Sequence, residues 1–313
     1  MKIFLAGATG AIGRRLLPML VNAGHEVTGT TQRADKMASI RSAGATPARV
    51  DALNKEEVFA AVQKAQPEII IHQLTAIPAN LNLRHFDEGF GLTNRLRIKG
   101  TDHLLAAAHA VGTRRFIAQS YAGWYARTGG WIKTETDPLI SDGISDGRKA
   151  LNATIHLEQA VLRETAIQGF VLRYGSFYGP GTSLAPGAWF FEGIRQRKVP
   201  IVGDGTGYWS FIHIDDAAAA TLAAVQSARP GLYNITDDEP APVSEWLPAL
   251  AADLGAPQPM HLPRFVARLA VGKHGLIMMT EIRGASNAKA KRELGWTPRW
   301  ASWRSGFREG LGY

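Results

Sequence analysis

Residues 2–6 read as a short buried strand, and 12–23, closed by Gly24, repeat their apolar positions at helical spacing. The alternation continues with a strand at 25–30, a helix at 35–42 ended near Gly44, and a short strand at 46–50. A helix follows at 55–65, then a β-branched strand at 68–72. A long helix at 92–111, a strand at 115–119, a helix at 149–165 and a strand at 169–173 complete this half. Strands separated by helices need crossover connections, so the pattern predicts a doubly wound α/β fold, a parallel sheet covered on both faces. After Arg173 the rhythm breaks. Gly179-Pro180-Gly181 and Ala185-Pro186-Gly187 mark loops, 211–236 reads as a return to the sheet, and 237–313 holds Pro-bounded helices with little strand signal. The expected division is a Rossmann domain over 1–173 and 211–236, with a smaller, mostly helical lobe over 174–210 and 237–313.

Composition narrows the class. The 313 residues suffice for a core domain with a smaller lobe. No run of 18 apolar residues offers a membrane span. The first strand passes straight into a glycine motif and leaves no room for a signal peptide, so a cytoplasmic location is expected. Cysteine is absent, which excludes disulfides, thiolate metal sites and a cysteine nucleophile. The net charge of +8 reads as a solvated basic surface. Its densest stretch, Lys289 to Arg292, has no interleaved aromatic residues, and no nucleic-acid partner is expected.

The chemistry begins at Gly7-Ala8-Thr9-Gly10-Ala11-Ile12-Gly13, between a strand and a helix. Gly7 allows the tight turn, Gly10 the approach of a pyrophosphate, and Gly13 close packing of helix on sheet. Backbone N–H groups at the start of that helix then face the phosphates. The end of the second strand selects the cofactor. An acidic residue there would bind a ribose 2′-hydroxyl, whereas this strand runs Thr28-Gly29-Thr30-Thr31-Gln32-Arg33 with no acid. NADP(H) is therefore expected, with Arg33 on the 2′-phosphate, Thr31 and Gln32 as hydrogen bonders, and Arg14 as a second charge. Asp51 with Ala52 suits the adenine, although Asp51 equally suits the N-cap of the 55–65 helix. Leu74, Thr75 and Ala76 are expected along the ribose and diphosphate. Gln119 and Tyr174, at the ends of the fifth and sixth strands, complete the cofactor set.

These features resemble an extended short-chain dehydrogenase/reductase of the NAD(P)-dependent epimerase/dehydratase type. The resemblance also rests on Gly100-Thr101, Leu172-Arg173-Tyr174 with Tyr178-Gly179-Pro180-Gly181, and Gly203-Asp204-Gly205. Phe211 to Asp216, Tyr233-Asn234-Ile235 and Glu293 to Pro298 extend it along nearly the whole chain. It implies a nicotinamide cofactor and a small-molecule substrate; relatives often form homodimers through the long helices, here 92–111 and 149–165, and a monomer is equally compatible with the sequence. It does not fix the reaction.

Three departures bear on the reaction. The family's Tyr-x-x-x-Lys pair precedes a glutamate by eight and four residues. With Glu158 as that glutamate, Ala150 and Thr154 stand in those places, and no Tyr-x-x-x-Lys occurs elsewhere. The family's catalytic Ser or Thr lies four residues before a tyrosine. With Tyr125 as that tyrosine the place is held by Tyr121, preceded by Ser120. Tyr121 is thus the candidate proton donor or a packing aromatic, with Ser120, Tyr125 and Lys133 as weaker candidates. Where nucleotide-sugar members carry a diphosphate-binding arginine, Trp209 stands beside Tyr208. Trp209, Trp189 and Tyr178, with Phe190 and Phe191, then point to an apolar or aromatic carbonyl or enone, or else pack the smaller lobe.

The leading expectation is an NADP(H)-dependent oxidoreductase. The alternatives are a non-catalytic NADP-sensing protein that lost the Tyr-Lys pair and an epimerase with tightly bound NAD(P). His213, Asp215 and Asp216 are expected to be structural, with an aspartate capping the helix that follows, and no metal is expected. Ser120 lacks a Gly-x-Ser-x-Gly elbow, which argues against a hydrolase. Asp137, Asp142 and Asp146 are expected to be solvated.

Overall fold

The computed structural model describes residues 1–141 and 146–312, so Asp142 lies outside the described residues. A seven-stranded sheet contains β1 (Lys2–Ala6), β2 (Glu26–Thr31), β3 (Thr46–Arg49), β4 (Ile69–His72), β5 (Arg115–Tyr121), β6 (Gln168–Tyr174) and β7 (Gly231–Ile235). Its spatial order is β7-β6-β5-β4-β1-β2-β3, and every adjacent pair is parallel. The order reverses between β1 and β4. Connections leave that point in opposite directions and open a crevice beyond the carboxyl ends of the strands.

Strand alternation sorts the two faces. Ile3 and Leu5 of β1 pack with Leu16 and Leu20 of α1 (Gly13–Asn22), while Phe4 and Ala6 face the other way. That second face is covered by α3 (Lys55–Ala65), α4 (Thr101–Val111) and α5 (Arg148–Leu162), after the short α2 (Met37–Ser42). Asn54, not Asp51, caps α3. Its Oδ1 accepts the Glu57 amide at 3.2 Å, and its Nδ2 donates to Glu57 Oε1 at 3.1 Å. At α5 a distant carboxylate does the capping, because Asp87 accepts the amides of Lys149 and Ala150 at 3.3 and 3.1 Å.

The long helix expected at 92–111 is not uniform. It runs α from Gly91 to Arg95, π from Leu96 to Gly100, and α again through α4. Such widened turns are rare and are frequent at functional sites. Arg97 lies within this one and is only 5% exposed.

Of the stretch 211–236, only β7 joins the main sheet. Phe211–His213 pairs instead with Ser176–Tyr178, ahead of α6 (Ile214–Gln226). His213 is the α6 cap, since its Nδ1 accepts the Asp215 amide at 3.2 Å. Asp215, expected as a cap, pairs with Arg15, and Asp216 accepts the amides of Arg299 and Trp300 at 2.8 and 2.9 Å. Nor is Asp137 merely solvated. It accepts the Thr134 amide at 2.8 Å and pairs with the buried Lys133 at 3.3 Å.

A second apolar core gathers most of the aromatic residues from 178 onward, although Tyr233 and Trp296 join the core under the sheet. Trp209 and Tyr178, expected at the substrate, are committed to it. The Trp209 indole stands 5.0 Å from Trp246 and donates Nε1–H to the Met278 carbonyl at 2.8 Å. Tyr178 is fully buried edge-on to Phe307, against Gly306, where an added Cβ would lie 2.0 Å from the phenol oxygen. Trp189 sits half-buried at the rim, 5.3 Å from Phe190. Large aromatic rings give a small lobe most of its burial, which accounts for their density here. Among the described residues, no helix is long and apolar enough to cross a membrane.

Candidate active site

The glycine loop lies at the carboxyl end of β1. Gly7 has φ +91°, and a Cβ there would stand 2.9 Å from the Gln73 carbonyl oxygen. At Gly13 a Cβ would lie 2.1 Å from the Gly7 carbonyl oxygen. The fold itself therefore needs glycine at both places. Gly10 differs, since an added Cβ would meet only the Gly7 oxygen, at 3.3 Å. Around it the Ala8 amide donates to the Thr30 carbonyl, and Thr9 Oγ1 donates to Thr31 Oγ1 at 3.2 Å. Ala11 is half-buried and Ile12 buried. The helix that follows has no acidic residue in its first turn and no side-chain cap at Ile12; the Arg14 amide donates to the Gly10 carbonyl and the Arg15 and Leu16 amides to the Ile12 carbonyl, so no side chain competes for the positive dipole end.

Beyond β2, the exposed Arg33 guanidinium pairs with Asp35 at 2.6 Å. Gln32 Nε2 donates to Asp51 Oδ1 at 2.7 Å, and the same oxygen accepts the Leu53 amide at 2.9 Å. Ala52 is buried, its carbonyl 3.0 Å from His103 Nδ1. After β4, the Leu74 amide donates to His72 Nδ1 at 3.2 Å and the Ala76 amide to Thr93 Oγ1 at 3.0 Å, which fixes the loop and leaves Thr75 exposed. Burial lowers the His72 pKa to about 4, so its ring is neutral and can accept. Two expected cofactor residues lie elsewhere. Arg14 reaches the Pro180 carbonyl at 3.1 Å, against Gly181. Tyr174 is buried under the sheet between Gln73 and Thr221, at 3.3 and 2.7 Å. Gln119 stays half-buried on β5.

At the carboxyl end of β5 the candidates separate. Ser120 is buried and donates to Glu158 Oε1 at 2.6 Å. Arg173 grips the same carboxylate with Nε at 2.8 Å and Nη2 at 2.5 Å, a bidentate buried pair. Tyr125 covers Arg173, with ring centroid and guanidinium 5.0 Å apart, and donates to Asn234 Oδ1 at 2.7 Å. Ser120 and Tyr125 therefore belong to one packed polar network. Tyr121 stands outside it. Its ring lies on Gly123, where a Cβ would come within 2.3 Å of a ring carbon. Burial pushes the phenol pKa up, while the Ser176 hydroxyl and the Arg97 charge pull it down.

Arg97 is the residue that sequence reasoning missed. Its Nη1 donates to Thr154 Oγ1 at 3.1 Å, its Nε has no protein partner, and burial lowers its pKa to about 10. It remains a cation, buried beside Tyr121. The available signal was a basic residue on the buried stripe Thr93, Arg97, Thr101, Leu104. Near Tyr121 a small cavity is walled by Trp124, Ile140, His274, Ile277 and Met278, with Arg127 also on its wall.

The model of the NAD-dependent epimerase/dehydratase family matches residues 3–236. The chain belongs to this family. A 3-diazoavenalumate denitrifying reductase from Streptomyces sp is 41% identical over 314 residues, covering 98% of this chain and 99% of its own. A 2-alkyl-3-oxoalkanoate reductase from Stenotrophomonas maltophilia is 26% identical over 277 residues, 82% of this chain and 77% of its own. The UDP-glucose 4-epimerase of Thermotoga maritima, solved with UDP-glucose, superposes with a TM-score of 0.76 at 22% identity, covering 99% of this chain and 97% of its own. That likeness shows the fold. Membership of the family, together with a named reductase along the full length, makes the chain an oxidoreductase of the NAD(P)-dependent type.

Proposed function

We propose that the protein is an NADP(H)-dependent reductase of a small apolar or aromatic carbonyl or enone, and that nucleotide sugars are not its substrates. The observation that carries this reading is the Tyr121 phenol, set beside buried Arg97 near an apolar cavity. The residues of the glycine loop suit a dinucleotide. The fold crowds Gly10 far less than Gly7 or Gly13, and close approach of a diphosphate accounts for glycine there. Arg33, with no acid on β2, suits a 2′-phosphate. Its exposed pair with Asp35 is a weak competitor for a dianion.

When bound, the cofactor supplies a hydride. The chain's own residues supply position and a proton. Tyr121, kept protonated by burial, donates to the substrate oxygen. Arg97 stabilises the phenolate that remains, the electrostatic role a lysine has elsewhere in the family. Apolar walls exclude water.

The relative at 41% identity favours a second acceptor, a diazo group. Hydride addition to an arenediazonium ion yields the arene and N₂, and it takes no proton from the protein. That chemistry suits a chain without the Tyr-Lys pair. The test is stoichiometric oxidation of NADPH by a panel of aryl ketones, aryl enones and an arenediazonium salt. Consumption with one class supports a reductase and names the acceptor. A permanently bound cofactor with no net NADPH consumption would identify an isomerase instead.

A further inference from the structure

Arg127 leaves the β5 end two residues beyond Tyr125 and reaches the wall of the cavity near Tyr121. One of its nitrogens is engaged, as Nη1 donates to Glu281 Oε2 at 2.6 Å. The other two, Nε and Nη2, are buried and have no protein partner. Those two N–H groups form one edge of the guanidinium, the edge that meets a planar carboxylate with two parallel hydrogen bonds. A buried donor without an acceptor is costly, and more so when it is charged.

The surroundings reinforce the demand for an anion. Glu281 is shared, since Arg264 also pairs with it at 3.0 Å. Arg283 donates to the backbone carbonyls of Glu281 and Arg127 and lies 3.7 Å over the Trp131 ring. Two guanidinium groups thus share one carboxylate, with the third held on the backbone beside it. The remaining walls are apolar or neutral. His274 is 4% exposed, its Nδ1 has no protein partner, and burial lowers its pKa to about 4. Trp124 Nε1 is likewise buried without a partner.

We infer that the Nε/Nη2 edge of Arg127 binds a carboxylate on the substrate, and that the cavity, about 20 Å³ and room for one water, widens along Tyr121, Trp124 and Met278 to take the apolar body. The substrate is then an aromatic or apolar acid. This rests on the proposed placement of the substrate at the β5 end. A single carboxylate suits these apolar walls better than a doubly charged phosphate, because each added charge raises the cost of leaving water.

The test is calorimetric titration of the NADPH-saturated protein with cinnamate, cinnamamide and phenyl phosphate. Cinnamate should bind about 10- to 100-fold tighter than cinnamamide, the range expected of charge-assisted hydrogen bonds. Arg127→Met should abolish that preference. Arg127→Lys retains a cation for Glu281 but lacks the paired edge. It should fold and should also lose most of the preference, which covers the case in which the methionine variant does not fold. Equal binding of acid and amide, binding of none of the three, or a preference that survives Arg127→Lys would overturn the inference. Tighter binding of phenyl phosphate would replace the carboxylate with a phosphate. Binding of cinnamate through Arg127, with no NADPH oxidation by any aryl ketone, aryl enone or arenediazonium salt, would leave this site standing and count against the reductase reading alone.

Discussion

Gly10→Ala is expected to leave the protein folded while weakening NADPH binding at least about tenfold, a loss of about 1.4 kcal/mol. The new methyl group meets only the Gly7 carbonyl oxygen at 3.3 Å, which a shift of a few tenths of an ångström relieves. Stability should fall by no more than about 1 kcal/mol, since only this one contact tightens. Gly13→Ala is the contrasting variant. Its Cβ would stand 2.1 Å from the Gly7 oxygen and 2.8 Å from two Ala8 backbone atoms, and backbone cannot swing aside. It should cost about 1–3 kcal/mol of stability, the usual penalty of overpacking, and lose binding as well. Urea midpoints with NADPH titrations separate the two effects. Equal affinity of Gly10→Ala and the wild type would remove the diphosphate from this loop.

Tyr121→Phe is expected to lower kcat for a carbonyl substrate by about 100-fold or more, the range of a lost general acid, with KM nearly unchanged. The phenol sits on Gly123, and the phenylalanine ring fills the same space, so the fold should persist. With an arenediazonium acceptor the same variant should turn over at the wild-type rate, because no proton is transferred. The two acceptors therefore give opposite outcomes in one assay. Undiminished turnover of a carbonyl substrate would make Tyr121 a packing residue.

The sheet was legible because its central parallel strands are buried on both faces. Ile69-Ile70-Ile71 cannot be placed otherwise, and the observed strands lie within two residues of those expected. The glycine loop was legible because Gly7 and Gly13 answer local steric demands. Aromatic side chains were not. Nothing local to Trp209 or Tyr178 says whether the ring faces a ligand or the packing of Trp246 and Phe307. Polar partners were hidden for a related reason. Arg97 meets Thr154 across 57 residues of sequence, and Arg173 meets the Glu158 that also holds Ser120. The π-turn at Leu96–Gly100 leaves no mark, since one widened turn barely disturbs a helical pattern.

The central claim is that the loop from Gly7 to Gly13 and the end of β2 bind NADP(H). The direct measurement is a fluorescence titration of the wild type and Arg33→Asp with NADPH and with NADH. The account predicts that the wild type prefers NADPH and that Arg33→Asp loses this preference while still binding NADH. An equal or stronger affinity of the wild type for NADH, or no binding of either, would contradict it.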